Sequence, residues 1–126
     1  MTHPPVHEMF RQAAARFPGH TAIDSGEERV TYQELSGRVA GIASALAAAG
    51  VREDLVAILS NRTVDVIAAM LAVLEAGCAF VPLDPAFPLA NLPAVAAEVR
   101  PRVWLADPEQ VETLARLTGK GTSRRP

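Results

Sequence analysis

The chain has 126 residues, enough for one compact core and too few for two. Hydrophobic residues make up 49% and charged residues 21%, which is globular rather than disordered composition. The net charge of −2 lacks the basic excess of a protein built to grip phosphate backbones, so nucleic acid is not an expected partner.

Cys78 is the only cysteine, which excludes an internal disulfide, a thiolate metal cluster and a CxxC redox pair. A reducing, cytoplasmic setting is expected. Met1 to Pro5 show no basic segment leading into an apolar run, so no secretory leader is expected. The longest strongly apolar stretch, Val64 to Val73, is about half a bilayer span and carries Asp65, so no membrane is expected as a partner.

Helical spacing opens the chain. Val6, Met9, Phe10, Ala13, Ala14 and Phe17 form one stripe, and Pro18-Gly19 stops it. Ala22–Asp24 and Arg29–Thr31 read as a hairpin around the turn Ser25–Glu28. Thr31-Tyr32-Gln33-Glu34 fits a capping box: the Thr31 hydroxyl can accept from the Glu34 N–H, and the Glu34 carboxylate from the Thr31 N–H. Leu35, Val39, Ile42 and Leu46 then follow at helical spacing, and Gly50 closes the helix. Leu55–Leu59 is a continuous apolar run, the pattern of a strand covered on both faces. Thr63 is placed to cap the next helix, Val64–Ala76, which is apolar nearly all round and must be buried on most sides.

Gly77 ends that helix, and Cys78–Val81 is the next strand. Pro82, Pro85 and Pro88 stiffen the loop beyond it. A weaker helix runs over Leu92–Val99, with Pro93 near its start. Val103–Leu105 begins the last strand expected. Asp107-Pro108-Glu109-Gln110 is a second capping box, leading a helix to about Leu117. Thr118–Pro126 is polar, and a disordered tail is expected there. The short-linked alternation of helix and strand predicts an α/β, three-layer fold: three parallel strands, near 55–59, 78–81 and 103–106, with helices on both faces.

Two segments resemble the amino-acid adenylation domains of nonribosomal peptide synthetases, members of the adenylate-forming, AMP-binding superfamily. Val30-Thr31-Tyr32-Gln33-Glu34-Leu35 resembles that family's first core motif, L-T-Y-x-E-L. The run from Leu74 to Pro85, LEAGCAFVPLDP, resembles the second, L-K-A-G-x-A-Y-V-P-L-D-P. The flanks are similar too. Val6–Phe10 resembles the V-H-E-x-F opening, Gly50-Val51 and Val56–Leu59 resemble the G-V-x-x-G-D-x-V-A-I segment, and Arg100–Asp107 resembles the stretch ending in L-T-D. Departures from the pattern are Glu75 for lysine, Phe80 for tyrosine, Glu53 for a common glycine, and Ala90-Asn91 for Glu-Arg.

The resemblance implies a partial adenylation domain over residues 6–117, within the opening part of the family's large subdomain. It implies a parent that joins an amino acid to ATP, releases pyrophosphate, and passes the acyl group to a carrier-protein thiol. ATP and Mg²⁺ are expected cofactors of that parent, with none in this chain. The family's phosphate loop, T-S-G-T-T-G-x-P-K-G, is absent from the sequence. Gly119-Lys120-Gly121-Thr122-Ser123 is no Walker loop, because Leu114 stands where the first glycine is required. No catalytic, cofactor-binding or metal-binding residue is therefore carried over, and the piece alone is expected to be inactive. The expected partners are the remainder of an adenylation domain or a carrier protein.

The motif residues have a structural reading. Thr31 and Glu34 are expected to cap a helix, Tyr32 to pack, Gly77 to turn left-handed, and Asp84 to cap or pair in the proline loop. Cys78 and Trp104 are expected in the core, and His3, His7 and His20 at the surface or in helix packing. Glu27-Glu28 is an exposed turn, and Arg124-Arg125 a solvated tail. Three alternatives stand beside the leading one: a scaffolding piece that completes a split adenylation domain, a fragment of an acyl-CoA ligase relative, and a free-standing nucleotide-binding α/β domain. The last is opposed by the absence of GxGxxG and Gx₄GK[ST].

Overall fold

The computed structural model describes residues 4–86, 89–118 and 123–124. The chain opens with helix α1 (Val6–Arg16) and an antiparallel hairpin of β1 (Thr21–Asp24) and β2 (Arg29–Thr31). Helix α2 (Tyr32–Ala48), strand β3 (Leu55–Leu59), helix α3 (Thr63–Glu75) and strand β4 (Ala79–Leu83) follow. A 3-10 turn at Leu89–Asn91 leads into α4 (Leu92–Val99), then β5 (Val103–Ala106), α5 (Pro108–Thr118) and the two-residue β6 (Ser123–Arg124).

The main sheet has the order β4-β3-β5-β6, and every pairing in it is parallel. The three strands expected from the sequence form its body. β6 was not expected: two polar residues carry no apolar alternation, and they join through the backbone of Leu105 and Ala106. Thr118 closes α5, and Ser123-Arg124 form β6. Gly119 to Thr122, Arg125 and Pro126 lie outside the described residues, as do Phe87 and Pro88 of the proline loop.

Strand alternation divides the core between two faces. Val56, Ile58, Val103 and Leu105 point to one face and pack with Leu35, Val39, Ile42 and Leu46 of α2 and with the apolar side of α3. Ala57, Leu59, Trp104 and Ala106 point to the other and pack with Leu92 and Ala96 of α4 and Leu114 of α5. Helices therefore cover both faces, which is why β3 reads as an unbroken apolar run. Each large core side chain contributes about 1.5–3 kcal/mol of gross burial.

Helix boundaries follow local chemistry. Thr31 and Glu34 make the reciprocal capping box, with Thr31 N–H donating to Glu34 Oε1 at 2.8 Å and Glu34 N–H to Thr31 Oγ1 at 3.1 Å. α2 and α3 end alike. Gly50 and Gly77 turn left-handed, at φ 73° and 75°. The following N–H groups reach back, Val51 to Leu46 O and Cys78 to Val73 O, each at 3.0 Å. Both ends are Schellman motifs, and in each the returning residue is buried beside its partner.

Two boundaries differ from the sequence expectation. Thr63 is the first helical residue of α3 rather than its cap; Arg62 holds the cap position and makes no side-chain cap bond. The Ser60 hydroxyl accepts the Arg62 N–H at 3.2 Å, so the chain turns into the helix one residue early. β4 begins at Ala79 and continues through Pro82 to Leu83 rather than stopping at Val81. Pro82 is tolerated because β4 is an edge strand, whose outer side asks for no donor.

Candidate functional site

The connections of the sheet define one special place. From β3 the chain crosses through α3 to β4 on one side, then returns through α4 to β5 on the other side of β3. α3 packs in one core layer and α4 in the other. The order therefore reverses between β3 and β5, and in open α/β sheets the crevice beyond the carboxyl ends at such a point is where ligands bind.

Ser60, just past β3, gathers that end of the sheet. Its N–H donates to Leu83 O at the end of β4 at 3.1 Å. Its hydroxyl donates to Asp107 Oδ1, just past β5, at 3.0 Å. One residue thus ties the ends of β3, β4 and β5. Asp107 is only 1% exposed, and the hydrogen bond offsets part of the cost of burying its carboxylate. Further out, Arg62 is bonded to Glu109 on α5 in an exposed ion pair.

On the α3 side lies a polar basin of about 590 Å³, lined by Ser25, Glu27 and Glu28 of the hairpin turn and by Asn61, Arg62 and Thr63. Arg38 of α2 supports it, bonding Glu28 and reaching Asp65 of α3 at 3.3 Å. At the hairpin itself, the Asp24 carboxyl is held below the usual carboxylate range, first by the Gly26 N–H and then by the Arg29 guanidinium.

The sequence-expected residues fall elsewhere, in framing roles. Tyr32 packs against Phe10 with ring centroids 6.1 Å apart. Glu75, where the family has lysine, pairs with Arg11 of α1 at 3.0 Å. Asp84 accepts the Ala86 N–H at 2.8 Å and folds the start of the proline loop. Cys78 is buried, with its thiol 3.7 Å from Ala76 O. Trp104 is 1% exposed, in the core as expected. His7 lies half-buried on α1, and exposed His20 stacks on Phe17 at 5.0 Å; His3 lies outside the described residues. Glu27 and Glu28 do not act as a pair, because Glu28 is engaged by Arg38. Glu53, where the family has glycine, sits in the left-handed region at φ 53°.

The sequence marks Asp107 as a helix cap and as the end of the stretch resembling L-T-D, and it does not single out Ser60 or Arg38. The one signal for Ser60 was a polar residue directly after an unbroken apolar strand. Among the described residues, no group of three or more His, Cys, Asp or Glu is placed to hold a metal ion. No helix among them is long and apolar enough to cross a membrane.

A parallel sheet wound to both sides of its first strand, with helices on both faces, is the α/β architecture of the adenylate-forming enzymes. The chain belongs to the AMP-binding enzyme family, whose pattern it matches over residues 10–125. Its relatives are nonribosomal peptide synthetases, and its 126 residues correspond to part of an adenylation domain of that type. It is 43% identical to malpinin synthetase of Mortierella alpina over 103 residues, which is 81% of this chain and 1% of that protein. It is 36% identical to bacitracin synthase 1 of Bacillus licheniformis over 110 residues, 86% of this chain and 2% of that one. The chain thus spans a very small share of the curated relatives it matches.

Among solved structures, a holo four-domain nonribosomal peptide synthetase bound to AMP and glycine superposes with a TM-score of 0.82 and 31% identity, over 96% of this chain and 9% of that one. VinN bound to 3-methylaspartate superposes with a TM-score of 0.85 over 96% of this chain and 34% of that one; at 24% identity this likeness is one of fold.

Proposed function

We propose that the chain is the framing part of an amino-acid-activating domain in nonribosomal peptide synthesis. In the parent reaction an amino-acid carboxylate attacks the α-phosphate of ATP, giving aminoacyl-AMP and pyrophosphate. The acyl group then moves to the thiol of a carrier protein. The observation that carries this reading is the engagement of both core motifs in structure: Thr31 and Glu34 cap α2, Gly77 turns the end of α3, and Asp84 folds its loop.

Nucleotidyl transfer needs donors and cations around the phosphates. ATP and Mg²⁺ would supply the triphosphate and its charge balance in the parent. The described residues do not fit either group. At the crevice Ser60 and Arg62 are turned toward Asp107 and Glu109, and the sequence holds no phosphate loop of the family type. No step through ATP is assigned to this chain. The complementary residues come, in this reading, from the remainder of an adenylation domain, with a carrier protein as the downstream partner. The setting is cytoplasmic, in keeping with a single unpaired Cys78. The peptide-synthetase relatives do not favour a scaffolding role or an acyl-CoA-ligase origin.

Amino-acid-dependent ATP–pyrophosphate exchange tests the reading. The 126 residues alone should give background exchange across a panel of amino acids. Mixing them with a polypeptide that carries the rest of a related adenylation domain should restore it. Robust exchange by the isolated chain would refute the proposal.

A further inference from the structure

α1 is attached differently from every other long helix. It has no buried residue, whereas α2 and α3 each bury a full stripe. Its sequence stripe splits in two. Phe10 packs on the core, while Val6, Met9 and Phe17 stay 58%, 52% and 42% exposed. Its N-cap, Pro5, makes no side-chain cap bond.

Half-buried His7, Ala13 and Ala14 lie on the inner side of α1, and two further side chains each reach one core motif. Phe10 packs on Tyr32 of the first motif, at 6.1 Å between ring centroids. Arg11 pairs with Glu75 of the second, at 3.0 Å, in contact with water. Beside these pins α1 and α2 do not close on each other. A cleft of about 480 Å³ lies between them, lined by Ala14, Ala15 and Pro18 on one side and Ser36, Gly37 and Ala40 on the other. These short side chains leave α1 little to interlock with. The far end of α1, by contrast, is fixed. Pro18 O accepts the Gln33 N–H, and His20 O accepts the Tyr32 N–H, each at 3.0 Å.

We propose that α1 is a releasable strap: it staples the two motif segments together through Phe10–Tyr32 and Arg11–Glu75, and it opens as a unit about Pro18 while the three-layer body stays folded. Segments with few buried contacts open at free energies well below global unfolding. Release uncovers Tyr32 and takes the Arg11 partner from Glu75, so one motion changes the surroundings of both motifs.

Hydrogen exchange on the full chain, read by mass spectrometry, tests this. Amides of residues 10–16 should exchange at least about a hundredfold faster than those of residues 39–46, through an opening that leaves the latter protected. Arg11→Gln should speed exchange in residues 10–16 by about two- to fivefold and leave residues 39–46 unchanged. Ala40→Leu, which fills the cleft, should slow residues 10–16 selectively. Equal protection of the two segments overturns the proposal. So does a response to either substitution that both segments share, because α1 would then open only with the whole fold.

Discussion

The Ser60 hydroxyl donates to Asp107 Oδ1 across 3.0 Å, joining two residues 47 positions apart at the ends of β3 and β5. The bond is buried, and its acceptor is a carboxylate, so it belongs to the stronger class of hydrogen bond. Ser60→Ala also takes an acceptor from the Arg62 N–H. The substitution should cost about 1.5–3 kcal/mol, measured by urea unfolding. A double-mutant cycle with Asp107→Asn should show coupling, since the two side chains share one bond. Additive effects would contradict the role given to this pair.

Left-handed backbone supplies a prediction with two signs. Gly77 lies at φ 75°, and a Cβ there meets nothing within 4 Å, so Gly77→Ala is penalised by backbone conformation alone. It should destabilise by about 1–2 kcal/mol. Glu53 bears the same conformation at φ 53° with a side chain already present. Glu53→Gly, the residue common in the family, should stabilise by up to about 1 kcal/mol, partly offset by the freedom glycine gains in the unfolded chain. Midpoints of thermal or urea unfolding report both, and like signs would contradict the argument.

The Thr31–Glu34 box predicts a local loss. Thr31→Ala removes the acceptor for the Glu34 N–H and should destabilise by about 1 kcal/mol. Thr31→Ser keeps the oxygen and should stay close to the parent in the same unfolding assay.

Asp24 predicts a pH dependence. Its carboxyl is held below the ordinary aspartate value of about 3.9 by the Gly26 N–H and by Arg29. The folded hairpin favours the ionised form, so this contribution is full above about pH 4 and fades as pH falls through the lowered folded value. A carboxyl titration followed by NMR should place the Asp24 midpoint below that of an unstructured aspartate, and Arg29→Gln should move it up. A midpoint at or above the ordinary value would contradict the hairpin geometry.

Much of the fold was legible because independent signals agreed. At α2 the capping box, the spacing of Leu35, Val39, Ile42 and Leu46, and the closing Gly50 all mark one helix, and those four side chains are its buried ones. The misread boundaries have specific causes. Pro82 ends a strand in the interior of a sheet, but β4 lies at an edge that the sequence does not announce. The α3 start moved because the Ser60 hydroxyl took the Arg62 N–H, a preference that a Thr63 cap reading did not weigh. The α1 stripe showed an apolar face, yet periodicity does not say whether the chain itself covers that face, and Val6 and Met9 are exposed. The crevice was the least legible feature. Ser60–Asp107 and Arg62–Glu109 are long-range pairs set by strand order, and no local spacing encodes them.

Calorimetric titration of the 126-residue protein with ATP and Mg²⁺ tests most directly whether it is a frame without a nucleotide site. The account predicts only heats of dilution, because Ser60 and Arg62 are committed to Asp107 and Glu109 and the family's phosphate loop is missing from the sequence. A saturable one-to-one isotherm that weakens on Ser60→Ala would contradict it.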